Sequence, residues 1–165
     1  MTKYRCQFIL GVVLALPTFG LNWSEALFDS TVYFYLVNLS QIVFFAYILV
    51  VLIDYVLSRQ LVILDIIFAV MCAYLILVSA WMFVYSCIEL SIPDSFSLPE
   101  TEGYQAQLQE FLYYSFVTLS TLGYGDITPL TSYAKSWSII EAIIGQFYLA
   151  IVLARLVGLR ISSCN

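Results

Sequence analysis

The stretch Thr121-Leu122-Gly123-Tyr124-Gly125-Asp126 has two glycines at alternate positions and lies between two long apolar segments. Because glycine adopts positive φ without steric cost, such a stretch can point successive carbonyl oxygens in one direction. A column of backbone carbonyl oxygens can replace the hydration shell of a cation. Non-helical backbone at membrane depth must line a cavity or be buried in protein, since lipid offers it no hydrogen bonds. The six residues therefore predict a cation-binding loop, provided that the rest of the chain lies in a membrane.

The composition of the chain is that of a membrane protein. Of the 165 residues, 62% are hydrophobic and only 10% are charged, whereas about a quarter of a soluble domain is charged. Six basic residues form no electrostatic footprint for nucleic acid. Histidine is absent and the four cysteines are scattered, which leaves no Ser-His or Cys-His pair and no zinc-site spacing. The counts exclude a soluble enzyme and a nucleic-acid-binding protein, and they indicate an integral membrane protein without enzymatic activity.

Four apolar runs are long enough to cross a hydrocarbon core of about 30 Å as helices: 6–24, 30–53, 66–88 and 137–158. The fourth run contains Glu141 and Arg155, which indicates that one of its faces contacts something other than lipid. The first run also resembles a secretory signal, because Lys3 and Arg5 precede it. Pro17 and the lack of a clear cleavage site favour a retained helix. The predicted fold is an all-α membrane protein with four transmembrane helices.

The basic residues predict the orientation of these helices. Five of them fall on one side of the membrane if the N-terminus is cytoplasmic: Lys3, Arg5, Arg59, Arg155 and Arg160. Only Lys135 falls on the other side, which satisfies the positive-inside rule. The chain is therefore expected to be a multi-pass protein of the plasma membrane with both termini in the cytoplasm.

The segment Glu110 to Ser120 is apolar but too short to cross, a length typical of a re-entrant helix. A helix of about 12 residues descends about 18 Å, and five extended residues of about 3 Å each can climb back. The sequence thus predicts a helix that enters the membrane halfway, followed by the glycine-containing loop.

These segments resemble a known family. Residues 121–126 are similar to the potassium-channel selectivity filter, with Leu122 in place of the usual valine. Residues 113–120 resemble its pore helix, and residues 141–159 resemble the inner helix of bacterial members of the two-helix-pore ion-channel family. The similarity extends over residues 66–159 and implies a tetrameric pore, with the re-entrant pore helix and filter between the third and fourth spans.

The resemblance implies the following boundaries. Two peripheral transmembrane helices occupy 1–59, and a pore domain occupies 60–165. Within the pore domain lie an outer helix at 61–90, an extracellular loop at 91–109, a pore helix at 110–120, the filter at 121–126 and an inner helix at 133–160.

The resemblance also implies the ion-binding groups, which are the backbone of Thr121, Leu122, Gly123, Tyr124 and Gly125 together with the Thr121 hydroxyl. Four potassium sites would lie along these carbonyl oxygens, and lipid would surround the assembly. One copy of the filter cannot surround an ion, so four identical chains are required.

Five further residues are expected to support the filter: Tyr113, Tyr114, Val117, Thr118 and Asp126. By the resemblance, the Tyr124 ring points away from the ion into a cuff of pore-helix aromatics. Tyr114 would then donate a hydrogen bond to Tyr124, and Tyr113 would donate one to Asp126. Val117 occupies the place where some bacterial channels have a glutamate paired with the filter aspartate, so filter inactivation that depends on this pair is not expected here.

Five residues of the inner helix are expected to line the cavity or form the gate: Gly145, Gln146, Leu149, Leu153 and Val157. Gly145 follows Gly125 by twenty residues, the spacing of a flexible hinge glycine in relatives, although close packing against the pore helix also explains it. Glu141 is either a structural partner behind the pore helix or a group that attracts cations. Asp65 and Arg155 either form a latch or reach the interface independently.

These features predict a channel that conducts potassium passively. No helix carries arginine at every third position, so gating by a voltage sensor is not expected. The chain ends six residues after Leu159, and no cytoplasmic ligand-binding domain is expected. The alternatives are a weakly selective cation channel of the same fold, a potassium transporter subunit and a non-conducting regulatory subunit.

Overall fold

The computed structural model describes residues 2–23, 30–58, 63–100 and 103–162. Five helices follow one another in this part of the chain: α1 (Thr2–Trp23), α2 (Thr31–Ser58), α3 (Ile63–Ser91), α4 (Tyr104–Leu119) and α5 (Ser132–Ser162). The same ranges contain an isolated β-bridge between Phe96 and Pro129 and no strand. The prediction of an all-helical protein is therefore confirmed.

Three of the helices are long and apolar enough to cross a membrane. The candidate spans are Thr31–Val56 in α2, Asp65–Ser91 in α3 and Ser132–Arg155 in α5. In α1 the apolar part is shorter, Ile9–Leu21. Three of the four predicted spans thus have the required length in the described helices, and a fourth crossing by α1 stays a prediction.

The helices pack largely in chain order, and α3, α4 and α5 form the half of the molecule that contains residues 121–126. Helix α1 packs on α2, α2 packs on α3, and α3 contacts both α4 and α5, which also contact each other. The core of this half is aromatic: Trp81, Tyr85, Phe96, Phe111 and Tyr114 belong to one buried cluster. The Tyr85 ring meets the Phe96 and Tyr114 rings edge to face at centroid distances of 5.2 and 5.1 Å, a favoured aromatic geometry. Helix α4 is therefore held against α3 by its aromatic face.

The start of α4 differs from the sequence prediction. The helix begins at Tyr104, whereas residues 91–109 were expected to form a loop and the helix was expected only from Glu110. The segment 105–108 consists of good helix formers, and the buried side chains of Leu108 and Phe111 share one helical face. These apolar contacts extend the helix toward Gly103, whose φ of 91° suits a glycine before the first turn. With 16 residues, α4 is about 24 Å long.

The loop after α3 is tied to the segment that precedes α5. The Ser97 N–H donates to the Thr128 carbonyl at 2.9 Å, and the Leu130 N–H donates to the Ser95 carbonyl at 2.8 Å. The two side-chain hydroxyls of Ser97 and Thr128 are 2.9 Å apart. The chain leaving residues 121–126 is therefore fixed to the end of α3 before it enters α5.

Candidate functional site

The loop 121–126 begins as a direct continuation of α4. The Thr121 N–H donates to the Thr118 carbonyl at 3.0 Å, and the N–H groups of Leu122 and Gly123 both donate to the Val117 carbonyl, at 3.0 and 3.3 Å. The first residues of the loop are thus bonded to the last turn of α4. Any displacement of α4 must be transmitted to them.

The backbone of this loop alternates in conformation. Thr121, Gly123 and Gly125 have φ values of 61°, 62° and 78°. Leu122 and Tyr124, which lie between them, do not have positive φ. Positive φ at alternate residues is what allows successive carbonyl oxygens to face one side. The glycines indicated this conformation in the sequence. Thr121 did not, because a β-branched residue rarely adopts positive φ.

The side chains of the loop are exposed in the single chain. Leu122 is 59% exposed and Tyr124 is 67% exposed. The Tyr124 ring therefore does not enter an aromatic cuff formed by its own chain, and the predicted cuff would require neighbouring chains. A large apolar side chain exposed just after the end of α4 indicates a surface that another molecule covers.

The far end of the loop is bonded to α4 through a side-chain pair. The Tyr113 hydroxyl donates to Asp126 Oδ2 at 2.5 Å, the partner expected from the sequence. This hydrogen bond lowers the pKa of Asp126 below its ordinary value, because it stabilises the charged carboxylate. The same bond raises the pKa of Tyr113 to about 12. Tyr113 therefore stays a hydrogen-bond donor, and Asp126 stays an anion, throughout the physiological pH range.

Tyr114 has a different partner from the one expected. Its hydroxyl donates to Ser138 Oγ of α5 at 2.7 Å, and the predicted donation to Tyr124 is wrong for the single chain. Consecutive helical residues point about 100° apart, so Tyr113 faces the loop 121–126 while Tyr114 faces α5. Tyr114 therefore joins α4 to α5.

Glu141 lies at the meeting point of three helices. Its side chain is 0% exposed. One carboxyl oxygen accepts a hydrogen bond from Ser115 of α4, and the other accepts one from Tyr85 of α3. Buried polar groups in a membrane must be paired within the protein, and these two hydroxyls meet that requirement. The geometry favours the structural interpretation of Glu141 over attraction of cations.

Gly145 lies one turn further along α5 and touches the end of α4. A Cβ atom added at Gly145 would lie closer than 3.0 Å to the carbonyl oxygen of Leu119, and 3.1 and 3.2 Å from its carbonyl carbon and Cα. Only a residue without a side chain allows this approach. Close packing against α4 therefore accounts for the glycine, and a hinge role stays a prediction.

The loop offers backbone carbonyl oxygens to a cation. The described residues contain no group of three or more His, Cys, Asp or Glu side chains that could bind a metal ion. Carbonyl oxygens of the loop are the groups that its conformation makes available.

Comparison with known proteins identifies the family. Residues 70–159, more than half of the chain, match a family model described as "Ion channel". The chain belongs to this ion-channel family. The match includes α4, the loop and most of α5. The site residues described above therefore lie within the part of the chain that the family model matches.

Plant potassium channels are among the relatives of this ion-channel chain. It is 34% identical over 87 residues to "Two pore potassium channel c" of Oryza sativa subsp. japonica, which covers 50% of this chain and 19% of the relative. It is 34% identical over 78 residues to "Two-pore potassium channel 5" of Arabidopsis thaliana, which covers 47% of this chain and 19% of the relative. The chain thus aligns with about a fifth of the length of these relatives. No solved structure matches it.

The predicted cavity residues of the ion channel lie along α5 below Gly145. Leu149, Leu153 and Val157 are exposed in the single chain, as is Gln146. Their spacing of three and four residues puts them on one side of the helix. The structure therefore leaves this side of α5 open for contact with ions, lipid or other chains.

The structure gives Arg155 a contact with α2. Its Nη2 donates to the Val56 carbonyl at 2.5 Å, while Asp65 at the start of α3 is exposed. The interpretation as an Asp65–Arg155 latch thus gains no support from this bond. Arg155 instead links α5 to α2.

Three residues that position this site were not singled out from the sequence: Tyr85, Ser115 and Ser138. Each contributes a buried hydroxyl from a mostly apolar helix. Polar side chains that such a helix buries do signal that partners exist, because buried polar groups are paired. The sequence does not show which helix rotations bring them together.

Proposed function

We propose that the chain is a subunit of a potassium-selective channel that conducts K⁺ passively across the membrane. The observation that carries this proposal is the alternation of positive φ at Thr121, Gly123 and Gly125, in a loop bonded to the end of a helix too short to be a span. Family membership and the names of the plant relatives agree with it.

In this proposal the ion is bound by the backbone carbonyls of Thr121, Leu122, Gly123 and Tyr124 and by the Thr121 hydroxyl, with Gly125 completing the filter. K⁺ is the transported ion. The supporting residues are Tyr113, Tyr114, Val117, Thr118 and Asp126. Of these, Tyr113 holds Asp126 directly, the Val117 carbonyl accepts the N–H groups of Leu122 and Gly123, and Tyr114 anchors α4 to α5.

Four copies of the chain are proposed to assemble around the filter. One loop presents carbonyls from one side only, and an ion stripped of water needs oxygens on all sides. The apolar side chains of Leu122 and Phe147 are 59% and 64% exposed in the single chain. Closed symmetric assembly would cover such surfaces and supply the missing oxygens.

The remaining features of the proposal concern the cavity and the membrane. Gly145, Gln146, Leu149, Leu153 and Val157 would border the ion pathway below the filter. The channel would lie in the plasma membrane, in contact with lipid, with both termini in the cytoplasm. Gating would not depend on a voltage sensor.

Flux through purified protein in liposomes tests the proposal. With a K⁺ gradient across the liposome membrane, we expect potassium flux that barium blocks and that sodium does not replace. Equal flux of sodium would support a weakly selective channel instead, and silence under all conditions would support a non-conducting subunit. A matched pair of variants ties the flux to the loop: Gly123→Ala should abolish it, whereas Gly20→Ala in α1 should not.

A further inference from the structure

Helix α5 contacts the other helices of the pore domain through one stripe of residues. Ser138, Glu141, Gly145 and Tyr148 are spaced by three, four and three positions and therefore share a face of the helix. Ser138 accepts from Tyr114, Gly145 touches Leu119, and the Tyr148 hydroxyl donates to the Val70 carbonyl of α3. Within this stripe, Glu141 contacts α3 and α4 at once, through Tyr85 and Ser115.

The Glu141 contacts are buried and engage both carboxyl oxygens. Tyr85, Ser115 and Glu141 are each 0% exposed, and the two carboxyl oxygens accept from two different helices. The Ser115 Oγ also lies 3.1 Å from the Val78 carbonyl of α3. A carboxyl group that is desolvated and bonded on both oxygens resists displacement of either partner, because a broken bond leaves a buried polar group unsatisfied.

The position of α4 determines the position of the filter. Ser115 is two residues before Val117, whose carbonyl accepts the N–H groups of Leu122 and Gly123. A shift of α4 relative to α5 would therefore move the first carbonyls of the filter. In a tetramer, the same shift would change the distance between oxygens across the pore axis.

We propose that Glu141 is a positioning residue for the filter: by accepting hydrogen bonds from Ser115 and Tyr85, it fixes α4 against α3 and α5 and so determines how strongly the channel selects K⁺ over Na⁺. This inference rests on the proposed function, since it assigns a role in ion selection. Glu141 does not touch the ion. Its effect passes through Ser115 and the last turn of α4.

The test is the K⁺/Na⁺ permeability ratio of purified channels in planar bilayers. Glu141→Gln, Ser115→Ala and Tyr85→Phe each remove or weaken one contact of the carboxyl group with little change in volume. We expect each to lower the permeability ratio by about tenfold, the factor that corresponds to about 1.4 kcal/mol. The double variant Glu141→Gln/Ser115→Ala should lose less than the two single losses combined, because both act on one contact.

Matched substitutions elsewhere provide the controls. Glu100→Gln makes the same chemical change on an exposed loop residue, and Ser136→Ala removes an exposed hydroxyl from α5. Both should keep the permeability ratio of the unchanged protein. Size-exclusion chromatography of every variant establishes that the channels compared have assembled to the same extent.

The outcomes separate the inference from the proposed function. If the unchanged protein shows no selective potassium flux, the proposed function fails. If it is selective and all three variants assemble with an unchanged permeability ratio, the positioning role is refuted while the proposed function stands. Loss of assembly in all three variants would also refute it, since the contacts would then serve assembly rather than the filter.

Discussion

Replacing Gly145 by alanine places a methyl group between α5 and the last residue of α4. The added Cβ would meet three backbone atoms of Leu119, the carbonyl oxygen at less than 3.0 Å and the other two at 3.1 and 3.2 Å. Ordinary contact begins near 3.4 Å, and backbone atoms cannot rotate out of the way as a flexible side chain can. To restore ordinary contact with the carbonyl oxygen, the helices must separate by about 1 Å at Leu119, just before Ser120 and the loop 121–126.

The change in the free energy of unfolding that we expect for Gly145→Ala is the sum of two opposing effects. Overpacking of this kind costs about 3 kcal/mol when backbone must move, and alanine in a helix regains about 1 kcal/mol relative to glycine. The net loss of about 2 kcal/mol corresponds to a lowering of the melting temperature by about 4–8 °C for a chain of this size. If Gly145 were only a hinge, alanine would raise the melting temperature, because the helical propensity term would act alone.

Thermal unfolding of the purified protein in detergent, followed by circular dichroism, distinguishes close packing of Gly145 from a hinge role. Gly20→Ala is the matched control, since no neighbouring atom among the described residues lies within 4 Å of the Cβ position there, and it should leave the melting temperature unchanged or slightly higher. A Gly145→Ala protein at least as stable as the unchanged one would refute close packing as the reason for this glycine. It would then favour the hinge interpretation.

Three further predictions concern the filter. Gly123→Ala should abolish potassium flux in liposomes while Gly20→Ala retains it, because alanine at φ 62° costs about 1–2 kcal/mol in each chain; retained flux would contradict the proposed role of the loop backbone. Tyr113→Phe removes the bond that lowers the pKa of Asp126, so protonation of Asp126 should move to higher pH. The stability that this shift contributes is present above the ordinary pKa of Asp126 and is lost as pH falls through the lowered value, so Tyr113→Phe should flatten this part of the dependence of stability on pH. Melting curves recorded between about pH 3 and 5 that show the same pH dependence in both proteins would contradict this. Because Val117 provides no carboxylate partner for Asp126, outward current should be sustained under steady depolarisation, and decaying current would show that inactivation here has another cause.

The sequence predicted the parts of the site that depend on local conformation. Alternate glycines indicated positive φ at Gly123 and Gly125, and a short apolar run indicated a helix before them. Both are local properties, since glycine is permissive in any context and helix length limits what a segment can cross. The bond from the Tyr113 hydroxyl to Asp126 was expected from the resemblance to potassium channels, and the structure contains it.

What the sequence did not show depends on how helices are rotated against one another. Tyr114 was expected to reach Tyr124 but bonds Ser138, a residue on a different helix. The start of α4 at Tyr104 depends on burial of Leu108 and Phe111 against other elements. Hydrophobic periodicity identifies a buried face but not the residue opposite it, so partners separated by 20 residues or more had to come from the structure.

The filter loop is held at its two ends by its own chain and is uncovered between them. Its start is bonded to Val117, and its end is bonded through Asp126 to Tyr113. Between these anchors, Leu122 and Tyr124 are mostly exposed, and exposed aromatic and aliphatic side chains gain free energy only when something else buries them. The ends of the loop are therefore positioned by the fold of one chain, and its alternating backbone conformation is already present there. In the proposed tetramer, neighbouring chains would bury the exposed side chains and supply the oxygens on the remaining sides of the ion, so assembly would complete a site whose backbone one chain has already formed.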